Sequence, residues 1–185
     1  MKQDRDLMKD LGRRLAEGDE EAFNETVERF SRQVFAVCFR ILRDTEEAKD
    51  MVQEVFTRVY LKRHSFKGHS SVYTWIYRIA INLCFSHLKR KRTETVPLDE
   101  VAYRLAVSAD TADSRLEELR DFVGKMIESL PAKQRAVFVL RFYEKLSFKE
   151  IAEVMKTSVG GAKANYHFAV EHLRRLAGGG EHFGA

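Results

Sequence analysis

Between Tyr73 and Arg92 the chain carries groups that could hold a nucleic acid. Tyr73, Trp75 and Tyr77 offer rings that stack on unpaired bases. Asn82 offers a donor and an acceptor to a base edge. Arg78 and the run Lys89, Arg90, Lys91, Arg92 offer cations to phosphates. Steps of three and four join Trp75, Arg78, Asn82, Phe85 and Lys89 into one helical stripe, and Val72, Ile76, Ile79 and Leu83 into an apolar one. Tyr73 and Tyr77 fall on the opposite flank. Aromatic residues at this spacing also rim ordinary cores, and a basic end suits the carbonyl pole of a helix. The stretch alone fits either role.

A second constellation lies near the C-terminus. Ser147 and Glu150 have the spacing of a capping box ahead of a short helix containing Ile151, Ala152 and Met155. A break at Lys156, Thr157 and Ser158 precedes a longer helix from Val159 to about Ala177. Short helix, tight turn and longer helix are the sequence form of a helix-turn-helix. On the longer helix Val159, Ala162, Tyr166, Ala169, Leu173 and Leu176 share an inward face. Gly160, Lys163, Ala164, His167, Glu171, Arg174 and Arg175 point elsewhere, and Phe168 lies off the inward face, free to meet the N-terminal half or a regulator. Small residues at the helix start let its amino end approach a phosphate or base edge. Gly160 and Gly161 each cost up to about 1 kcal/mol relative to alanine inside a helix, so each needs a reason to be there.

The elements that must position these groups are helical. Residues 3–16 form a short charged helix. From Asp19, the positions Phe23, Val27, Phe30, Val34, Val37, Cys38 and Ile41 define a long helical face. Asp44 and Glu47 have capping-box spacing, and the following helix buries Ala48, Val52, Val55, Phe56, Val59 and Tyr60, ending near Arg63. A loop, His64 to Ser71, contains Gly68 and ends in Ser70 and Ser71, either of which can cap the aromatic helix. Residues 93–112 have no sustained period. A further helix starts near Asp113 with Leu116, Leu119, Val123, Met126, Ile127 and Leu130 on one face. Pro131 breaks it, and Ala136, Val137, Leu140 and Phe142 mark the next helix.

Composition agrees. Of 185 residues 44% are hydrophobic, so a core can form, and only Pro97 and Pro131 interrupt the helices. The net charge of +4 is unevenly spread: residues 1–92 hold nineteen Lys/Arg against fourteen Asp/Glu, a net of +5. Residues 93–112 carry −3 and residues 113–185 carry +2. Two basic blocks flank an acidic connector, as expected of a partner to an anion. Cys38 and Cys84 sit in apolar patterns and read as buried free thiols. The first thirty residues lack a signal-peptide core, and no apolar run nears the ~18 residues of a membrane span. A cytoplasmic chain without membrane insertion is expected.

Catalytic chemistry has no motif to stand on. Neither His64 with His69 nor His167 with His172 has the accompanying ligands of a zinc site. Phosphate-loop, dinucleotide and H-E-x-x-H patterns are absent from the sequence. No cofactor, metal, small-molecule substrate or enzyme activity is expected.

Taken jointly, three runs resemble the small extracytoplasmic-function (ECF) sigma factors of bacterial RNA polymerase. They are DTEEAKDMVQEVFTRVY (44–60), FKGHSSVYTWIYRIAIN (66–82) and SLPAKQRAVFVLRFYEKLSFKEIAEVMKTSVGGAKANYHFAVEHLRR (129–175). The resemblance spans about residues 15–177. It implies an all-α chain of two small helical domains: residues 1–92 for core polymerase and the −10 promoter element, and residues 113–177, with the helix-turn-helix, for the −35 element. Residues 93–112 would be the linker and 178–185 a flexible tail.

The resemblance also assigns roles. Asp50, Gln53 and Glu54 match core-polymerase-binding positions. The loop with Lys67, His69 and Ser70, and the helix with Tyr73, Trp75, Tyr77, Arg78, Asn82 and Lys89–Arg92, match the surface holding the −10 element as a single strand. Arg141, Ser158, Gly160, Lys163, Ala164, His167 and Arg174 match the −35 surface. Promoter DNA, core RNA polymerase and an anti-sigma factor would be its partners. Asn165, Phe168 and Val170 depart from the arginine-rich family pattern. The competing reading is a helix-turn-helix regulator whose N-terminal domain senses a ligand or dimerises.

Overall fold

The computed structural model describes residues 2–94 and 114–178. Within them the chain is helical: α1 (Lys2–Glu17), α2 (Glu20–Leu42), α3 (Thr45–Lys62), a 3-10 turn (Arg63–Ser65), α4 (Val72–Glu94), α5 (Ser114–Glu128), α6 (Ala132–Phe142), α7 (Phe148–Met155) and α8 (Val159–Gly178). Most of the expected linker and tail lies outside the described residues. None of the described helices is long and apolar enough to cross a membrane.

Side chains set the helix boundaries. Asp19 accepts from Ala22 N–H at 3.1 Å, and Asp44 from Glu47 N–H at 2.9 Å, so each satisfies a first-turn donor. The Glu47 carboxylate does not complete a capping box. It turns to α4, where it accepts from Lys91 at 2.8 Å and lies 3.1 Å from His87 Nε2. The box at Ser147 and Glu150 is complete in both directions. Ser71, not Ser70, caps α4 by accepting from Thr74 N–H at 3.3 Å.

α2, α3 and α4 form the N-terminal core. Val34, Val37, Cys38, Ile41, Ala48, Val55, Val59, Val72, Ile76, Ala80 and Cys84 are fully buried. Met51, unforeseen, is buried too, whereas Val52 is half-buried and Tyr60 is exposed. The two cysteines are free and buried, and contact with the Cys38 thiol together with burial pushes the Cys84 thiol up. α6, α7 and α8 enclose Ala136, Val139, Leu140, Ile151 and Val154. On α5 only the end of the expected face is covered: Ile127 and Leu130 are buried, Leu119 and Val123 are exposed, and Leu116 lies outside the described side chains.

One hydrophobic cluster runs through both halves, from Leu11 to Ala162. α4 therefore has covers on two sides: α2 and α3 behind, α7 in front. This explains why Val72, Thr74, Trp75, Ile76, Tyr77, Ala80, Ile81, Leu83 and Cys84 are all buried, where one apolar stripe was expected. Arg135 ties the halves. It donates to Ile41 O at 2.7 Å and Leu130 O at 3.2 Å, and also to Glu128 O, satisfying carbonyls at the ends of α2 and α5. Burial, opposed by Glu128, lowers its pKa, yet it stays charged at any ordinary pH.

A guanidinium fork reaching three carbonyls has no lysine equivalent. We expect Arg135→Lys to lower unfolding free energy by about 1–3 kcal/mol, the range for losing hydrogen bonds from a charged donor. Urea denaturation followed by circular dichroism checks this. A midpoint equal to that of the parent chain would show that the carbonyls do not need the fork.

Candidate nucleic-acid interface

The loop before α4 is held by α1, an element for which the sequence predicted no role. Leu11 and Leu15 anchor α1 in the core. Gly12 is buried beside Phe66: a Cβ there would lie 2.6 Å from Phe66 Cε1. Gly18, at φ +94°, lets the chain turn beside His64, whose Nδ1 lies 2.9 Å from Ala16 O. Phe66 then packs on Trp75, ring centroids 5.3 Å apart. Packing therefore runs unbroken from α1 through Phe66 to the aromatic helix. A glycine inside the helical pattern of α1 was the sequence signal for this close approach.

The loop forms a ridge between two clefts. One, about 960 Å³, lies between α1, the loop and α7, with Lys9, Arg13, Lys67, His69, Ser70 and Glu150 on its walls. The other, about 470 Å³, is lined by Lys67, His69, Ser70, Trp75, Arg78 and Glu153. Lys67 and His69 are exposed on the ridge, and Arg78 and Ser70 are half-buried. Asn82, Lys89, Arg90 and Arg92 are exposed further along α4, and Lys91 is paired with Glu47.

The aromatic residues are placed differently. Trp75 is 6% exposed and forms cleft wall rather than free surface. Tyr73 donates its hydroxyl to Glu150, and Tyr77 donates to Glu144 at 2.7 Å. Burial, then the neighbouring carboxylate, raises both phenols above their ordinary pKa, Tyr77 far above it. On Glu150, burial works upward, but hydrogen bonds from Ser147 and Tyr73 outweigh it and leave the carboxyl below its usual range. Both tyrosines thus face the C-terminal half, through acceptors about seventy residues away that helical periodicity cannot reveal.

Asp50 and Gln53 are exposed on α3, and Glu54 beside them pairs with Arg58 at 2.6 Å. In the C-terminal half, Lys156 adopts a left-handed conformation at the end of α7, and Thr157 N–H donates back to Ala152 O at 3.0 Å, closing the turn. Ser158 starts α8 by accepting from Gly161 N–H at 3.0 Å. A Cβ on Gly161 would meet Thr157 Oγ1 at 2.7 Å, so the tight turn explains this glycine; Gly160 has room for one.

Ala162 and Ala169 of α8 are fully buried, while Gly160, Lys163, Ala164, His167 and Arg174 lie exposed along the opposite side. Val159 and Leu176, expected inward, are exposed as the helix runs past its neighbours at both ends. Phe168 is 54% exposed. Arg141 is engaged internally, donating to Leu146 O at 2.8 Å and lying over the Phe148 ring.

Most of the chain compares with known proteins. Residues 26–94 match the Sigma-70 region 2 family and residues 123–173 match Sigma-70, region 4. The ECF RNA polymerase sigma factor SigW of Bacillus subtilis is 32% identical, over 91% of this chain and 96% of its own length. The chain belongs to the ECF sigma factors. The ECF RNA polymerase sigma-E factor of Escherichia coli K12 is 33% identical over 88% of this chain and 90% of its own.

Two solved structures share the fold. CnrH, determined with the cytosolic domain of CnrY, has a TM-score of 0.72 at 22% identity, covering 94% of this chain and 99% of that one. The sigma factor RpoE of Bartonella quintana, determined with the anti-sigma factor NepR, has a TM-score of 0.66 at 21% identity, covering 84% and 96%. The loop, α3 and α4 of this ECF sigma factor fall in region 2, and its helix-turn-helix falls in region 4.

The Gly12–Phe66 contact gives a sign test. Gly→Ala inside a helix ordinarily stabilises, by up to about 1 kcal/mol. Here the added methyl must displace Phe66, and overpacking typically costs about 1–3 kcal/mol. We expect Gly12→Ala to destabilise on balance and to shift the emission of Trp75, the only tryptophan in the chain. Denaturant unfolding followed by fluorescence measures both; a more stable variant with unchanged emission would show that Phe66 yields freely.

Proposed function

We propose that this sigma factor reads two promoter elements on separate surfaces. The 64–71 loop, its two clefts and the exposed side of α4 take the −10 element as a single strand. The exposed side of α8 takes the −35 element as duplex. The observation that carries the reading is the ridge: Lys67, His69 and Ser70 stand between two clefts, the smaller of which has the Trp75 ring and Arg78 on its walls. Recesses that size fit an unstacked base, and cations beside them fit its phosphates. On α8, small Gly160 and Ala164 beside Lys163 and His167 let the helix sit close to a groove. Ser158, capping α8, lies at its amino end, and Arg174 near the far end adds a cation for phosphate. Arg141 shapes this domain from inside, through Leu146 and Phe148.

Asp50, Gln53 and Glu54 form one polar face of α3, which suits docking to core polymerase. An anti-sigma factor is the expected antagonist, supported by the two structural relatives determined with bound protein partners. We place the protein in the cytoplasm with its polymerase. It has no bond-making step of its own; phosphodiester chemistry belongs to the polymerase. Residues 1–92 and 113–177 would be the two reading domains, joined by the acidic 93–112 linker.

Two substitutions separate the surfaces. With holoenzyme, Asn82→Ala should weaken binding to forked templates bearing a melted −10 element by about tenfold, the lower range for one lost base contact. It should leave duplex bearing only the −35 element unchanged. Lys163→Ala should do the reverse. Electrophoretic mobility shift on both templates checks the assignment; a variant that weakens both equally, or neither, would return its helix to a structural role.

A further inference from the structure

We propose that Phe168 is a specificity-determining residue of the −35 surface and reads the 5-methyl group of a thymine in the major groove. This rests on the reading of α8 as the duplex-binding helix given above.

Phe168 is 54% exposed and belongs to neither hydrophobic cluster of the described residues. Packing within the described chain leaves it largely uncovered, so the cover expected from the N-terminal half is not there. Single exposed apolar side chains are common on protein surfaces. What distinguishes this one is its row. Gly160 and Ala164 are exposed in the middle of the outer side of α8. Lys163 and His167 flank them on one side, and Phe168 flanks them on the other, about 100° round the helix from His167. The two rings are neighbours, with centroids 6.0 Å apart. Glu171 holds the middle further along, 3.4 Å from His167 Nε2, and Arg174 and Arg175 are exposed beyond it.

Small residues in the middle let the helix sink toward the base edges, which presses the flanking side chains against what lines the groove. The flank of Lys163 and His167 meets it with groups that can donate to phosphate or to a base acceptor. The flank of Phe168 meets it with a ring that can neither donate to guanine nor accept from cytosine. Among the major-groove edges only thymine presents an apolar group, its C5-methyl, and apolar contact is how such a side chain reads it. The neighbouring residues do not compete for this role. Asn165 donates its Nδ2 to Gly161 O at 2.8 Å, and Val170 is half-buried. Phe168 is also the tenth residue of α8, roughly 14 Å along the axis from the first. Base contacts of a recognition helix come mainly from its amino-terminal part, so a long side chain is needed at this depth.

The test removes the methyl alone. In a duplex bearing only the −35 element, taken from a promoter the holoenzyme transcribes, each thymine on either strand is replaced singly by deoxyuridine, which pairs identically. Electrophoretic mobility shift with the holoenzyme should show one position where affinity falls about fourfold, the worth of one buried methyl. With Phe168→Ala, binding to the unsubstituted duplex should weaken by about fourfold or more, and thymine and deoxyuridine at that position should bind equally. Phe168→Leu should keep part of the difference. Lys163→Ala should weaken both duplexes alike and keep the full difference, because it leaves the ring in place. A parent chain indifferent to every replacement would overturn the proposal. Discrimination retained in Phe168→Ala would overturn it as well, and a protein surface would then be the candidate cover for the ring. In both cases the reading of α8 stands as long as Lys163→Ala weakens duplex binding. If neither variant changes duplex affinity, that reading falls and the proposal with it.

Discussion

A phenol buried in an interface must find an acceptor, and the two on α4 find theirs on the other half of the chain. Tyr73 and Tyr77 cannot turn back into the N-terminal core, where Val72, Ile76 and Ala80 are already fully enclosed. They reach Glu150 and Glu144 instead. That requirement sets where α7 lies on α4, and with it the shape of the larger cleft, since Glu150 is one of its walls. The same carboxylate closes the capping box of α7. One residue thus links the start of a helix, the docking of a domain and the lining of a candidate binding site.

The loop depends on a second chain of contacts. Residues 66–71 have no regular structure to fix them, so their position comes from what Phe66 touches. It is gripped by the bare backbone at Gly12 on one side and by Trp75 on the other. Gly68, at φ +69° with nothing within 4 Å of where a Cβ would sit, gives the ridge its bend without filling either cleft. A rigid base with a thin, polar crest suits the proposed holding of a flipped base in one place.

Local chemistry was legible in the sequence. Asp19, Asp44 and Ser147 start their helices because a short acceptor beside a helical pattern can do little else, and Pro131 separates α5 from α6 as its missing N–H demands. The exposed row on α8 followed from a 3.6-residue period around Ala162 and Ala169. What escaped was long-range. Glu47 has capping-box spacing, yet Lys91 on α4 competes successfully for its carboxylate, with His87 beside it. Periodicity gives one buried stripe per helix, so it could not show that α4 is covered twice. Nor could it show that α1, polar along most of its length, sets the position of the loop through a single glycine.

The chemistry of the interface between the halves also bears on what it is for. Its named pairs are polar or charge-bearing: phenol to carboxylate, guanidinium to carbonyl, guanidinium over Tyr143. On separation each of these groups can be rehydrated, and hydrogen bonds to water replace those that are lost. The same interface also has an apolar part, because one hydrophobic cluster joins Ile76 and Ala80 to Leu146, Ile151 and Val154, and opening would expose that area at about 25 cal/mol per Å². That part of the cost scales with area, so the halves are held by more than their polar pairs. Exchange of the polar pairs for water is closer to neutral in free energy than exposure of a core, so it is the shared apolar cluster that decides how firmly the halves stay together.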